Sequence, residues 1–330
     1  KRSRCPDQVF ITDQLDGVIP EFMQLLHGVI DSPDIPLNVS RSFLQSDASV
    51  KKISAHISKK VSDKLEEMFK NDREDFEKKW EDIKIFIQYG SITDEKFWDR
   101  AKSFFLLKNV EGKYFTLDEY KTYIETLQKD KNETLVYLYA ADAEKQHIYI
   151  QSAQERGYDV LLMDSILDAH FINMLEQKLE KSKFARVDAD VIDKLIEKED
   201  SLISKLSEEE RKNLSEIFEN SVEKEKFTVV VESLNDTDLP VMIMQNEFMR
   251  RFQDMERLSG QNGMYGRFEH YNLVVNDNNE VIVNLLKEED AEKKSQMTQQ
   301  LVDLALLSQN MLTGEKLSQF VRRSLDFIAK

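Results

Sequence analysis

The sequence predicts a mixed fold of the α+β type that contains a local α/β unit, and three observations lead to this prediction. The 330 residues are 41% hydrophobic and 33% charged but include only nine Gly and five Pro, a composition typical of a helix-rich globular protein. Apolar residues recur at helical spacing over residues 42–90 and 293–330. Short apolar runs at 134–141, 159–164 and 226–234 have the length and residue types of strands.

The composition also limits the class of function. The formal net charge of -16 disfavours nucleic-acid binding, because phosphate contacts need clustered Lys and Arg. The single cysteine, Cys5, permits neither an internal disulfide nor a cysteine-based zinc site, which fits a reducing compartment. The sequence contains no apolar run near membrane-spanning length and no signal-peptide pattern. We therefore expect a cytoplasmic protein with protein partners, without nucleic-acid or membrane binding.

The first forty residues combine one strand, one short helix and a stiff loop. The alternation in Gln8–Asp13 predicts a strand, which needs neighbours, so we expect the chain to be part of a longer protein. Pro20 begins a short helix that Gly28 ends. Pro33 and Pro36 then remove two backbone donors and stiffen the loop that follows.

A series of helices is predicted next. A long helix runs from about Ser42 to Lys70, and Asp72 caps a second helix that Gly90 ends. Shorter helices are expected near 94–107 and 117–128. The apolar stripe of the long helix consists of Val50, Ile53, Ile57, Val61, Leu65 and Phe69.

The pattern changes to alternating strands and helices near residue 131. Apolar runs at 134–141 and 159–164 enclose a helix-compatible stretch, and another helix follows over 166–179. This order predicts a small parallel sheet with a right-handed crossover. A charged stretch, 193–212, leads to a last domain that opens with a strand at Lys226–Leu234.

A methionine-rich segment is the first notable feature of the last hundred residues. This segment, residues 242–264, holds five of the eleven methionines. A helix over 245–258 would place four apolar side chains on one face. These side chains are Phe248, Met249, Phe252 and Met255. Such a helix either packs on its own domain or forms an adaptable surface for apolar partners.

The second feature is a pair of apolar-faced helices at the chain end, over 293–312 and 315–330. The first carries Met297, Leu301, Leu304, Ala305 and Met311, and the second carries Leu317, Phe320, Val321, Leu325 and Ile328. The pair can pack on the same chain or associate with a twofold copy as four helices. The sequence pattern leaves both arrangements open.

No motif predicts an autonomous enzyme. The five histidines have no metal-ligand spacing, and no nucleophile elbow, P-loop or dinucleotide-binding motif occurs. Arg41 and Gln45 lie four residues apart after the proline-stiffened loop, with Ser40 as the expected helix cap. Arg41 is either an exposed cation or a charge-stabilising group for a phosphate held outside this fold.

The stretch GVIDSPDIPLNVSRSFLQSD, residues 28–47, resembles the catalytic loop of the ninety-kilodalton heat-shock chaperone family. The resemblance is nearly gapless over residues 8–41. It continues more loosely through FWDRAKSFF, DVLLMDSILDAHFINML and DLALL. It covers essentially the whole chain, as the later part of the middle domain plus the C-terminal domain, in the form that bacterial members have.

The resemblance implies a homodimeric, ATP-driven chaperone that binds unfolded client proteins. ATP and Mg would be bound mainly by an N-terminal domain outside this chain, so we expect no cofactor in this fragment and no activity of it alone. By resemblance, Arg41 reaches the γ-phosphate, Gln45 supports it, and Asn38 and Ser40 support the loop. The chain ends in DFIAK, without the acidic tail of eukaryotic cytosolic members, which implies a bacterial protein.

The resemblance also assigns the two C-terminal features and one further region. The helix pair corresponds to a four-helix dimer interface, and the methionine-rich helix, with Phe248, Met249, Phe252 and Met255, corresponds to a client-contacting helix. A second client-contact region falls on His170 and Phe171. The dimer contacts would come from Leu301, Leu304, Leu317, Phe320 and Leu325.

The implied fold has αβα middle-domain layers with a helical coil, followed by an α+β dimerisation domain that ends in the helix pair. Residues 1–72 would be the C-terminal part of the large middle subdomain with the catalytic loop, and 73–130 a helical connector. Residues 131–200 would form the small αβα middle subdomain, and 201–330 the dimerisation domain. The alternative function is a non-catalytic dimeric scaffold of the same fold with one fixed partner.

Overall fold

A computed structural model describes residues 19–23, 48–198, 202–245, 251 and 270–329 of the chain. The chain divides into two compact units, Lys1–Lys108 with Lys113–Lys121, and Asn109–Gly112 with Thr122–Lys330. The mixed α+β fold is confirmed, because helices and three small sheets both occur. None of the helices that the structure describes has the length and apolar character needed to span a membrane. The strand predicted at Gln8–Asp13 lies outside the described residues.

The first unit is built mainly from helices around an aromatic core. Its core includes Phe76, Trp80, Phe97, Phe104 and Phe105, all almost fully buried. The predicted cap Asp72 is confirmed, since its carboxylate accepts a hydrogen bond from the backbone N–H of Asp75 at 3.0 Å. The elements are a 3₁₀ turn at Glu21–Met23, then α1 (Ala48–Asn71), α2 (Arg73–Thr93), α3 (Glu95–Ala101), β1 (Leu106–Lys108), β2 (Tyr114–Thr116) and α4 (Leu117–Ile124).

Gly90 does not end α2, contrary to the sequence prediction. The helix continues for three residues to Thr93, and Gly90 itself is buried. A Cβ atom at this position would lie 2.7 Å from the ring of Phe22 and 2.9 Å from that of Phe97. Gly90 is therefore a packing residue that lets two aromatic rings approach the helix backbone.

The helix predicted over 94–107 is too long. α3 ends at Ala101, and Leu106 and Leu107 belong to β1, which pairs antiparallel with β2. α4 is also shorter than predicted and ends at Ile124. The error at 104–107 has a simple cause, because a short apolar run fits a buried strand as well as a helix.

The second unit begins with a three-stranded parallel sheet, as predicted. The strand order is β4-β3-β5, from β3 (Leu135–Ala140), β4 (Leu161–Leu162) and β5 (Ser182–Arg186). The third strand was not predicted from sequence, because SKFAR lacks a continuous apolar run. The helices of this part are α5 (His147–Glu155), α6 (Asp168–Lys178) and α7 (Ile192–Leu195).

A second three-stranded sheet, of mixed direction, follows in the same unit. The central strand β8 (Tyr271–Asn276) runs parallel to β6 (Phe227–Glu232) and antiparallel to β7 (Val241–Met244). The strand predicted at Lys226–Leu234 is thus confirmed as β6. The described residues around this sheet include the helices α8 (Glu208–Glu219), α9 (Glu280–Lys287), α10 (Ala291–Ser308) and α11 (Gly314–Ile328).

The two sheets of the second unit share one hydrophobic core. Val136 and Leu138 of β3 belong to the same cluster of buried residues as Leu234, Met242 and Met244. Both methionines lie in β7 and are almost fully buried. They are therefore core residues, although the sequence pattern groups them with the methionine-rich segment.

Candidate functional site

The predicted catalytic loop residues Asn38, Ser40, Arg41 and Gln45 lie outside the described residues. Their role at a nucleotide site stays a prediction from the sequence. In the part of the chain that the structure describes, no group of three or more His, Cys, Asp or Glu side chains is arranged to hold a metal ion.

Of the methionine-rich segment beyond β7, the structure describes Gln245 and Arg251, and the four predicted client-contact residues Phe248, Met249, Phe252 and Met255 lie outside it. The Arg251 guanidinium donates to the Glu176 carboxylate and to the backbone carbonyl oxygen of Phe184, each at 2.7 Å. Only 15% of the Arg251 side chain is exposed. This contact holds residue 251 against α6, the helix of the second predicted client-contact region.

On α6, the two predicted residues differ in accessibility. His170 is half-buried and reaches the surface, whereas Phe171 is fully buried in the core. We correct the sequence interpretation for Phe171, because a client chain can only contact an accessible side chain. The exposed apolar residue beside α6 is Ile166, with an exposed fraction of 64%. A single apolar residue in a loop has no periodic signal, so the sequence pattern did not identify it.

The clearest candidate for an interaction surface is the apolar face of α11. No residue of this helix is buried. The exposed fraction is 47% for Val321, 60% for Leu325 and 81% for Ile328. Leu317 is half-buried and lies on the same face at helical spacing. An amphipathic helix whose apolar face stays uncovered in its own chain is typical of an interaction site.

The preceding helix, α10, has both a core face and an exposed face. Leu301, Val302 and Ala305 are buried against the sheet of the same chain. Leu304 and Leu307 are exposed by 47% and 39%. Of the five predicted dimer contacts, Leu304, Leu317, Phe320 and Leu325 thus have surface available, whereas Leu301 packs in its own core.

An exposed ion pair lies at the start of α11. The Lys316 ammonium contacts the Glu223 carboxylate at 2.8 Å. The hydrogen bonds from Lys316 and then from Lys226 lower the pKa of Glu223 from 4.5 to about 2. Both side chains are more than half exposed, so this pair contributes little to the position of α11.

Comparison with known proteins identifies the family. The family model described as Hsp90 protein matches residues 7–325. A relative from Bacteroides fragilis named chaperone protein htpG is 42% identical over 390 aligned positions, covering 98% of this chain and 57% of the relative. A chaperone protein HtpG from Porphyromonas gingivalis is 43% identical over 386 positions, covering 96% of this chain and 56% of the relative.

A more distant chaperone protein HtpG, from Borrelia garinii, is 25% identical over 335 positions and covers 98% of this chain. The chain spans little more than half the length of these relatives, between 51% and 57%. The family model covers nearly all of the chain, and the two closer relatives match it at well above chance similarity. This chain therefore belongs to the Hsp90 family.

Proposed function

We propose that the chain is the middle and C-terminal part of an ATP-dependent molecular chaperone that acts as a homodimer on unfolded or partly folded client proteins. The observation that carries this proposal is the uncovered apolar face of α11 in a chain of the Hsp90 family. The relatives named HtpG support the chaperone assignment.

The partner that fits the α11 face is a second copy of this chain. Leu304 of α10 and Leu317, Val321 and Leu325 of α11 supply apolar surface that a twofold-related pair of helices would cover. Two copies of the pair make a four-helix arrangement, the geometry in which amphipathic helices bury such faces. Leu301 is not part of this proposal, because it is buried within its own domain.

Client proteins would bind elsewhere on the chain. The methionine-rich helix, with Phe248, Met249, Phe252 and Met255, is the first proposed contact, since methionine adapts to apolar surfaces of varied shape. His170 and the exposed Ile166 beside α6 are the second. The side chain of Arg251 supports the pairing of these two regions, because it joins residue 251 to α6.

The ATPase role rests on the sequence resemblance. Arg41, supported by Gln45, would contact the γ-phosphate of ATP held with Mg by a nucleotide-binding domain outside this chain. A guanidinium suits this role, because its fixed fork of donors matches phosphoryl oxygens. Asn38 and Ser40 would hold the loop that carries Arg41.

The dimer proposal is tested by light scattering of the 330-residue chain at micromolar concentration. We expect a dimer for the parent chain and a monomer for Leu325→Asp. A buried unpaired carboxylate costs several kcal/mol, so the dissociation constant should rise by about a hundredfold or more. The matched control is Leu202→Asp, at a leucine outside α10 and α11 that is 49% exposed against 60% for Leu325, and it should stay dimeric. A monomeric parent chain would contradict the proposal.

A further inference from the structure

None of the residues of α11 is fully buried, so apolar packing on its own chain is limited to partly buried side chains such as Leu317 and Phe320. A set of polar side chains between α10 and α11 makes the specific contacts between the two helices. These are Gln299, Gln300 and Asp303 of α10, and Arg323 and Ser324 of α11. We call this set the α10–α11 polar network.

Arg323 lies at the centre of the network. Its Nε donates to the amide oxygen of Gln300 at 2.8 Å, and its Nη2 donates to the Asp303 carboxylate. The second carboxylate oxygen of Asp303 accepts from Gln299 at 2.9 Å. The Gln300 amide nitrogen donates to the Ser324 hydroxyl at 2.8 Å. Both oxygens of Asp303 and both polar atoms of the Gln300 amide thus have partners, so these two groups of the network are satisfied.

Burial makes this network stronger than an ordinary surface ion pair. The exposed fraction is 5% for the Asp303 side chain and 17% for that of Arg323. Removing one partner of such a pair leaves the other charge buried without compensation, which is strongly unfavourable. The exposed pair between Lys316 of α11 and Glu223 has no comparable effect, because water screens it.

We propose that Arg323 is a positioning residue for self-association: through Asp303 and Gln300 it holds α11 in one place on α10 before a second copy binds. The exposed Leu304 of α10 and Leu325 of α11 are then presented together as one surface. A surface ordered in advance loses less conformational entropy on association and therefore binds more tightly. This inference rests on the proposed dimer.

The first test compares dissociation constants, measured by dilution of a fluorescently labelled chain. Arg323→Ala should weaken the dimer by about tenfold or more, because α11 is no longer held in place. The matched control is Arg322→Ala, which removes the same charge from the adjacent, exposed residue and should leave the dissociation constant unchanged. Arg323→Lys, which keeps the charge but loses the forked donors, should recover part of the loss. Equal dissociation constants for Arg323→Ala and Arg322→Ala would overturn the inference.

The second test asks whether Arg323 acts through Asp303. In an Asp303→Asn background, Arg323→Ala should have a much smaller effect on the dissociation constant than in the parent chain. A general loss of structure would instead give additive effects and a lower helix content by circular dichroism, and that result would refute the positioning role.

The two proposals fail in different ways. A monomeric parent chain would overturn both the dimer and the role of Arg323. A parent dimer that Leu325→Asp dissociates, while Arg323→Ala has no effect, would overturn only the positioning role.

Discussion

At the scale of single residues, Tyr149 shows how one buried hydroxyl joins distant parts of the second unit. Burial raises the pKa of Tyr149 well above its usual range, so the hydroxyl keeps its proton. It donates to the backbone carbonyl oxygen of Ile243 at 3.0 Å and accepts from the side chain of Gln309. Tyr149 on α5 is thereby connected both to β7 and to the residue that follows α10.

Replacing either partner of this contact should destabilise the second unit. Tyr149→Phe leaves the Gln309 amide without its acceptor, and we expect a loss of about 1–2 kcal/mol in the free energy of unfolding. Gln309→Leu should cost a similar amount. The double variant should cost less than the sum, and urea denaturation followed by circular dichroism measures the difference. Strictly additive losses would mean that the two side chains do not interact.

A second residue-scale prediction concerns Glu119, which Arg73 contacts with both terminal nitrogens. One of these hydrogen bonds, from Nη2, is 2.8 Å long. The Arg73 hydrogen bonds lower the pKa of the Glu119 carboxyl group from 4.5 to about 2. A carboxyl group with a depressed pKa stabilises the fold above its unfolded pKa, and the stabilisation is lost as the pH falls toward the folded value.

Glu119→Gln should therefore lower stability at neutral pH by about 1 kcal/mol or less, since the pair is partly exposed to screening water. The difference between the variant and the parent chain should shrink as the pH falls from 4.5 toward 2. Urea denaturation at a series of pH values measures this difference. A difference that is independent of pH would show that the ion pair is not its source.

At the scale of elements, α2 illustrates a conflict between helix propensity and packing. Gly is unfavourable inside a helix, yet Gly90 lies three residues before the helix end and is buried. The rings of Phe22 and Phe97 occupy the space that a side chain would need. The two rings pack against each other with centroids 4.8 Å apart. Their packing against the helix backbone explains why residue 90 is a glycine.

Gly90→Ala should consequently destabilise the first unit, although alanine is the better helix former by about 1 kcal/mol. Overpacking of this kind costs about 1–3 kcal/mol. Thermal unfolding of the parent chain and the variant measures the effect. The control is the same substitution in a Phe22→Ala background, where the contacts at 2.7 Å are gone and the ring of Phe97 at 2.9 Å remains, so the loss should be clearly smaller. A stabilising Gly90→Ala in the parent chain would disprove the packing argument.

At the scale of the whole molecule, the proposed self-association surface and the proposed client contacts lie on different elements. The exposed apolar residues of α10 and α11 lie at the chain end, whereas Ile166 and His170 lie beside or on α6. Arg251 joins its part of the methionine-rich segment to Glu176 of α6. A change in one region should therefore leave the other function intact.

Client binding is best measured with several fluorescently labelled, permanently unfolded proteins. The Met249→Asp, Phe252→Asp double variant should bind them at least about tenfold more weakly, since a charge disfavours contact with apolar segments. Light scattering should show that this double variant is still a dimer, whereas the Leu325→Asp variant should be a monomer. Binding of one fixed partner, and of none of the unfolded proteins, would favour the scaffold alternative.

Features that depend on local order along the chain could be predicted from the amino-acid sequence alone. The periodicity of α1, the Asp72 cap, the strand β3 and the parallel sheet all follow from short-range patterns. The contiguous motif around Arg41 also pointed to the Hsp90 family, which the comparisons established independently. Such features can be predicted because the side-chain periodicity of a helix or strand depends on residues that are close together in the sequence.

Which apolar residues face the core and which remain exposed depends on how the helices and sheets pack together. Leu301 and Leu325 are equivalent in a helical pattern, but one is buried and the other is open to solvent. Met242 is buried in the core, and Arg323 forms an ion pair with Asp303, which lies twenty residues earlier in the chain. Burial and ion pairing of this kind depend on contacts between segments that are distant in sequence, and no local periodicity specifies those contacts.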